Sequence, residues 1–244
     1  MLMSGAMFSY DDPAATDKID ILDIAQPLSN VCRFAAPGTC QLPSPLRGAS
    51  PVTNPGASVL QSLIRSVLRS PHDREWTLQG FGMLRTYLDP DKITRLHVWT
   101  DKYATDKVST IHTHPWDFQS MVIAGLIKDV EYERAPDGKK AMLEQQILCG
   151  EGGGLKGDPI EVRLQMLRAQ TLTTGDIYEH KAADIHESRP ADGTVSMIIR
   201  RFGEDVDHAS VFWNKRESWV SAEPRPATWF EVHEITNNAL KLWF

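Results

Sequence analysis

Cysteine is scarce in this chain. Its three thiols, Cys32, Cys40 and Cys149, are far apart, odd in number and form no C-x-x-C pair. That excludes a thiolate zinc knuckle and a disulfide scaffold, and free thiols in a reducing compartment are the default. Long apolar runs are lacking as well. No window approaches the roughly 18 residues of a membrane helix, and Met1–Asp12 has neither the basic start nor the apolar stretch of a signal peptide. Positive charge is also short, with 26 Lys and Arg against 32 Asp and Glu, a net charge of −6. Pairs such as Lys139-Lys140 and Arg200-Arg201 are too brief to track a phosphate backbone. The expectation is a cytoplasmic protein with neither a membrane nor a nucleic acid as partner.

What is present is an ordinary globular composition, 41% hydrophobic and 24% charged, arranged in three stretches. Residues 1–79 read as an extension. Ile19–Leu28 is a short helix or an arm, and Ala35–Pro55, rich in Pro, Gly, Ser and Thr, is an irregular connection. Ser58–Ser70 is an amphipathic helix, because Val59, Leu60, Leu63, Ile64, Val67 and Leu68 fall on one stripe. Ser58 is its expected N-cap, and Pro71 stops it. Residues 80–205 change to short β-like runs: Met83–Leu88, Thr94–Thr100, Thr110–His114, Ser120–Glu133, Met142–Leu148, Val162–Leu172, Asp176–Tyr178 and Thr194–Phe202. Turn signals separate them, as in a sandwich or barrel. The glycine-rich Gly150–Gly154 does not fit a phosphate-binding loop and reads as a flexible connection. Residues 206–244 are expected to dock on the barrel, Thr228–Phe244 as a strand or short helix.

The densest chemistry lies in Thr110-Ile111-His112-Thr113-His114-Pro115-Trp116-Asp117-Phe118. Histidines at i and i+2 share one face of a strand, so His112 and His114 can reach one ion. A third ligand comes from His186, eleven residues after Gly175. His180 is a partner behind the ligands or an alternative to His186.

These residues resemble the two motifs of the cupin family. His112-x-His114 with Gly125 matches the first, and Gly175 with His186 matches the second. The resemblance implies an all-β, cupin-type double-stranded β-helix, a jelly-roll barrel, with an N-terminal helical and irregular extension. It also implies a metal in the barrel mouth on His112, His114 and His186, and a homodimer. Several positions depart from the motifs. Asp106 stands at the leading glycine, and Lys181, Ala183 and Pro190 stand where the second motif has Pro, Gly and Asn. The family's glutamate position falls on Phe118 or Gln119.

A set of three histidines without a carboxylate is similar to that of thiol dioxygenases and other three-histidine cupin dioxygenases. Imidazoles with open positions suit Fe(II) first, with Zn, Ni or Cu as alternatives, over Mg or Ca. Asp117 is a rival ligand or, with Gln119 and Tyr178, a catalytic group. Trp116 and Phe118 form either a water-excluding wall or plain core. Arg85 and Arg95 are substrate-carboxylate clamps or exposed strand charges. His97 is a pocket donor or a structural histidine. The Ser-His-Tyr set of the thiol dioxygenases is not evident after His186, which argues against cysteine as substrate. The expected function is an oxygenase using O2 on a small organic molecule, with a carboxylate-bearing one as the expected class. A cupin ligand-binding module without turnover, or a Zn or Ni isomerase or lyase, is the alternative.

Overall fold

Two antiparallel sheets carry the fold. The computed structural model describes residues 55–105, 109–148, 154–201, 206–214 and 224–244, all within the unit Leu46–Phe244. The expected arm at Ile19–Leu28, most of the Pro-rich connection, Asp106 and most of the glycine-rich loop lie outside the described residues.

The strands are β1 (Thr77–Gln79), β2 (Phe81–Tyr87), β3 (Thr94–Ala104), β4 (Ile111–His112), β5 (Phe118–Ala124), β6 (Leu126–Arg134) and β7 (Lys140–Leu148). They continue as β8 (Leu155–Thr173), β9 (Ile177–His180), β10 (Ile185–Pro190), β11 (Val195–Arg200), β12 (His208–Trp213) and β13 (Arg225–Pro226). One sheet runs β13-β1-β2-β3-β11-β5-β9, and the other closes on itself as β10-β4-β12-β7-β8-β6. The closed sheet encloses its own core, to which each strand contributes a side chain: Ile185, Ile111, Phe212, Met142, Leu164 and Val130. A second core lies between the sheets, with Phe118, Val122, Tyr178 and Ile198 from one and Ile127 and Leu172 from the other.

The chain crosses between the sheets at Gly125. The expected single strand Ser120–Glu133 is therefore two strands. Gly125 has φ +100°, and a Cβ there would lie 2.5 Å from Thr194 Oγ1, so only glycine fits both the dihedral and the space.

Helix α1 (Pro55–Arg69) buries Leu60, Ile64 and Leu68, one side chain every fourth residue, each worth about 1.5–3 kcal/mol. Its Gln61 Nε2 donates to the Ile123 carbonyl of β5 at 2.9 Å. Val59, expected in the apolar stripe, is 56% exposed. The helix begins three residues before Ser58, because Pro55 fits a first helical position; Ser58 is therefore not the cap. A 3-10 turn, Pro71–Asp73, follows. Helix α2 (Trp229–Trp243) resolves the strand-or-helix alternative for the tail. Arg65 donates to the Phe244 carbonyl at 2.8 Å and ties the two helices. Among the described residues, no helix is long and apolar enough to cross a membrane.

Candidate metal centre

The closed sheet brings its histidines together by register. β10 lies beside β4 with His186 directly opposite His112, so both rings leave the sheet on one face. Regular pairing of β4 ends at His112. The Thr113 N–H donates to the Ser210 carbonyl, and the Ser210 N–H donates to Thr113 Oγ1, both at 2.8 Å. These bonds prolong the extended path, and His114 emerges on the same side as His112. The outcome is a cluster in which one ring nitrogen each of His112, His114 and His186 lies within 4.8 Å of the others.

The donor chemistry of this cluster fits a cation. His112 Nδ1 lies 2.9 Å from the Thr110 carbonyl, which calls for a proton on Nδ1 and leaves the Nε2 lone pair facing inward. That Nε2 is 3.2 Å from His114 Nε2. Two nitrogens bound to one ion at about 2.0–2.1 Å, at tetrahedral or octahedral angles, stand about 2.9–3.4 Å apart. His186 is 3% exposed, and neither of its ring nitrogens has a hydrogen-bond partner. A buried imidazole without partners is costly unless something outside the protein satisfies it. Burial lowers all three pKa values, with the neighbouring histidines adding to it, His186 to about 3 and His114 well below the ordinary value. The rings are neutral near pH 7, which is the ligating form.

A carboxylate stands behind the triad. Asp129, His180 and His186 form a second buried group that shares His186 with the first. Asp129 Oδ1 is 3.2 Å from His180 Nε2 and 3.6 Å from His186 Nδ1. Burial alone would raise the Asp129 carboxyl, but the His180 hydrogen bond and the nearness of the His186 ring outweigh it and hold it well below the usual range. Sequence reasoning named His180 but missed Asp129. The signal was there: on β6, positions 127, 129 and 131 share a face, and an acid in step with core Ile127 calls for a buried partner.

The other expected site residues fall into two groups. Trp116 and Phe118 are buried, with ring centroids 4.6 and 4.8 Å from that of His114. Tyr178 is buried beside His180, 5.7 Å between centroids, and burial pushes its hydroxyl up. Gln119 is not on this face. Its neighbour Phe118 packs on the triad, so alternation sends Gln119 to the other side of β5, where its Oε1 accepts from Arg201 at 2.8 Å. Asp117 belongs to neither histidine group. Its carboxylate accepts from the Ala182 N–H at 2.7 Å and from Lys181 Nζ at 3.2 Å, on the turn between β9 and β10.

Arg85, Arg95 and His97 lie on β2 and β3 of the facing sheet, with Arg85 opposite His97 in register. Arg95 lies over Trp116 at 4.8 Å and over Tyr87 at 5.1 Å, so Trp116 links it to His114. His97 is 3% exposed and neither ring nitrogen has a partner. Its ring meets Trp99, which stacks on Phe81, which in turn stacks on His112. Burial lowers the pKa of both arginines and, with their charge, that of His97. Arg85 Nε donates to Thr77 Oγ1 at 3.0 Å. Among the described residues neither arginine pairs with a carboxylate.

No family model and no curated protein matches the chain. A solved structure of Drosophila melanogaster CENP-C bound to CAL1 matches 59% of this chain and 98% of that chain, at 11% identity and a TM-score of 0.30. A likeness that low carries no argument about fold or activity.

Proposed function

We propose that this protein is a cupin-type, non-heme iron oxygenase that acts with O2 on a small organic anion. The observation that carries the proposal is the buried His186, whose ring nitrogens make no hydrogen bond, set against His112 and His114. Support for the cupin topology comes from the glycine-only crossing at Gly125 and from the pairing of His112 with His186 across two strands.

In this reading His112, His114 and His186 hold the metal by neutral imidazoles, and no carboxylate ligand is needed. Fe(II) there would supply the one-electron chemistry that lets O2 react with a closed-shell substrate. Trp116 and Phe118 keep water from the triad. Arg85 and Arg95 hold the substrate's anionic group through charge-assisted hydrogen bonds, and Trp116 sets the distance of Arg95 from the triad. His97, kept neutral between two cations, offers a hydrogen bond to the same group.

Metal analysis of protein prepared without chelators tests the ligand set. His186→Ala should lose most of the bound iron at unchanged fold, and unchanged iron content would refute the assignment. An oxygen electrode then tests turnover on iron-loaded protein with a panel of small carboxylates and thiols. Substrate-dependent O2 uptake supports the oxygenase. Binding without uptake makes the protein a ligand-binding module, and turnover without oxygen makes it an isomerase or lyase.

A further inference from the structure

We propose that Asp129, clamped by His180, is the positioning residue of this centre: it holds the Nδ1 edge of His186 so that Nε2 faces His112 and His114. The inference rests on the metal-centre reading above.

Asp129 is wholly buried. A carboxylate taken out of water costs several kcal/mol unless it is paired or hydrogen-bonded. No Lys or Arg pairs with it among the described residues. Its surroundings are His180 Nε2 at 3.2 Å, His186 Nδ1 at 3.6 Å and Gln170 Nε2, which donates to Oδ2 at 3.2 Å. The His180 and His186 rings lie 4.2 Å apart, 34° from parallel, so the carboxylate meets both from one side. His180 in turn faces Glu131 with its other nitrogen at 3.4 Å, and Glu131 pairs with the half-exposed Arg168.

Two consequences follow for His186. An acceptor beside Nδ1 draws the ring proton to that nitrogen and leaves the Nε2 lone pair for the cation, as the Thr110 carbonyl does for His112. The carboxylate also places one negative charge one imidazole away from a cation held by three neutral ligands. At 3.6 Å the link is looser than a hydrogen bond, and a small ring rotation tightens it.

Co(II) binding to the metal-free full-length protein tests this, followed by d–d absorption and by competition with a chelator. Wild type should bind one Co(II) per chain, and His112→Ala should lose it. Asp129→Asn keeps the size and an acceptor oxygen but removes the charge. It should keep the stoichiometry, lose about 10–100-fold in affinity and shift the ligand-field bands. His180→Ala, which frees the carboxylate, should weaken binding in the same direction, and it serves as the test if Asp129→Asn does not fold. Wild-type affinity and spectrum in the folded variant would overturn the proposal while leaving the metal centre standing. Retained binding in His112→Ala with loss in His180→Ala would place the ion among Asp129, His180 and His186 and overturn it too. A wild type that binds no Co(II) would overturn both.

Discussion

Ala183 shows what one residue costs beside the site. Its φ is +67°, a left-handed conformation that a Cβ disfavours by about 1–2 kcal/mol. The conformation is held from both sides. The Ala183 N–H donates to the His114 carbonyl at 3.0 Å, the Lys181 N–H donates to Asp184 Oδ2 at 2.7 Å, and Asp117 takes the Ala182 N–H. The turn thus fixes the backbone of a triad histidine, and Asp117 serves it as an anchor. Ala183→Gly should relieve the strain, less the extra freedom glycine gives the unfolded chain. The expected gain is about 0.5–1 kcal/mol, read as a higher urea midpoint at unchanged slope; a lower midpoint would contradict it. Only the tertiary structure shows this strain, because alanine by itself carries no sign of a positive φ.

At the scale of elements, α2 is set by its first turn. Thr228 Oγ1 accepts from the Glu231 N–H, and Glu231 Oε2 accepts from the Thr228 N–H at 2.8 Å, a reciprocal capping box. Arg225 closes a two-point pair on the same carboxylate. Thr228→Ala should cost about 1 kcal/mol, a fall of about 2–4 °C in Tm for a chain of this size, measured by scanning calorimetry. This signal stands in the sequence as Thr228-x-x-Glu231 ahead of an apolar pattern. Strand β10 leaves a weaker mark in the sequence. Ile185-His186-Glu187-Ser188-Arg189-Pro190 holds few apolar side chains, and its burial is sustained by polar pairing. Glu187 is 6% exposed and accepts from Thr110, Tyr132 and Arg189. Hydrophobic alternation cannot report a strand whose buried residues include an imidazole and a networked carboxylate.

For the whole molecule, the buried histidines make stability depend on acid. His97, His112, His114 and His186 are all held below the ordinary imidazole value, by burial first. Unfolded, they take up protons near pH 6.5; folded, they resist until the pH is lower, about 3 for His186. The unfolded state therefore binds more protons in this window, and stability is full above it and falls as the pH drops below 6.5. The slope is about 1.4 kcal/mol per pH unit for each histidine still neutral in the native state. Asp129, held low, adds to the loss in stronger acid, as the pH falls below the ordinary carboxylate value. Denaturant midpoints of the metal-free protein should be level above about pH 7 and fall steeply from 6.5 to 5. A level profile through that range would mean that the imidazoles are open to solvent.

The sequence by itself determined the strand-rich centre, the amphipathic helix after Pro55 and the shared face of His112 and His114. Each of these follows from local spacing, period 2 or period 3.6. Tertiary structure decided what faced those histidines. Which face of β5 turns inward depends on register across the sheets, and it sends Phe118 to the triad and Gln119 to Arg201. Asp129 comes to His186 because β6 and β10 lie side by side, although 57 positions separate the two residues in the chain. Long-range register leaves no periodic mark, and for that reason the partners of the buried Asp129 carboxylate could be found only in three dimensions.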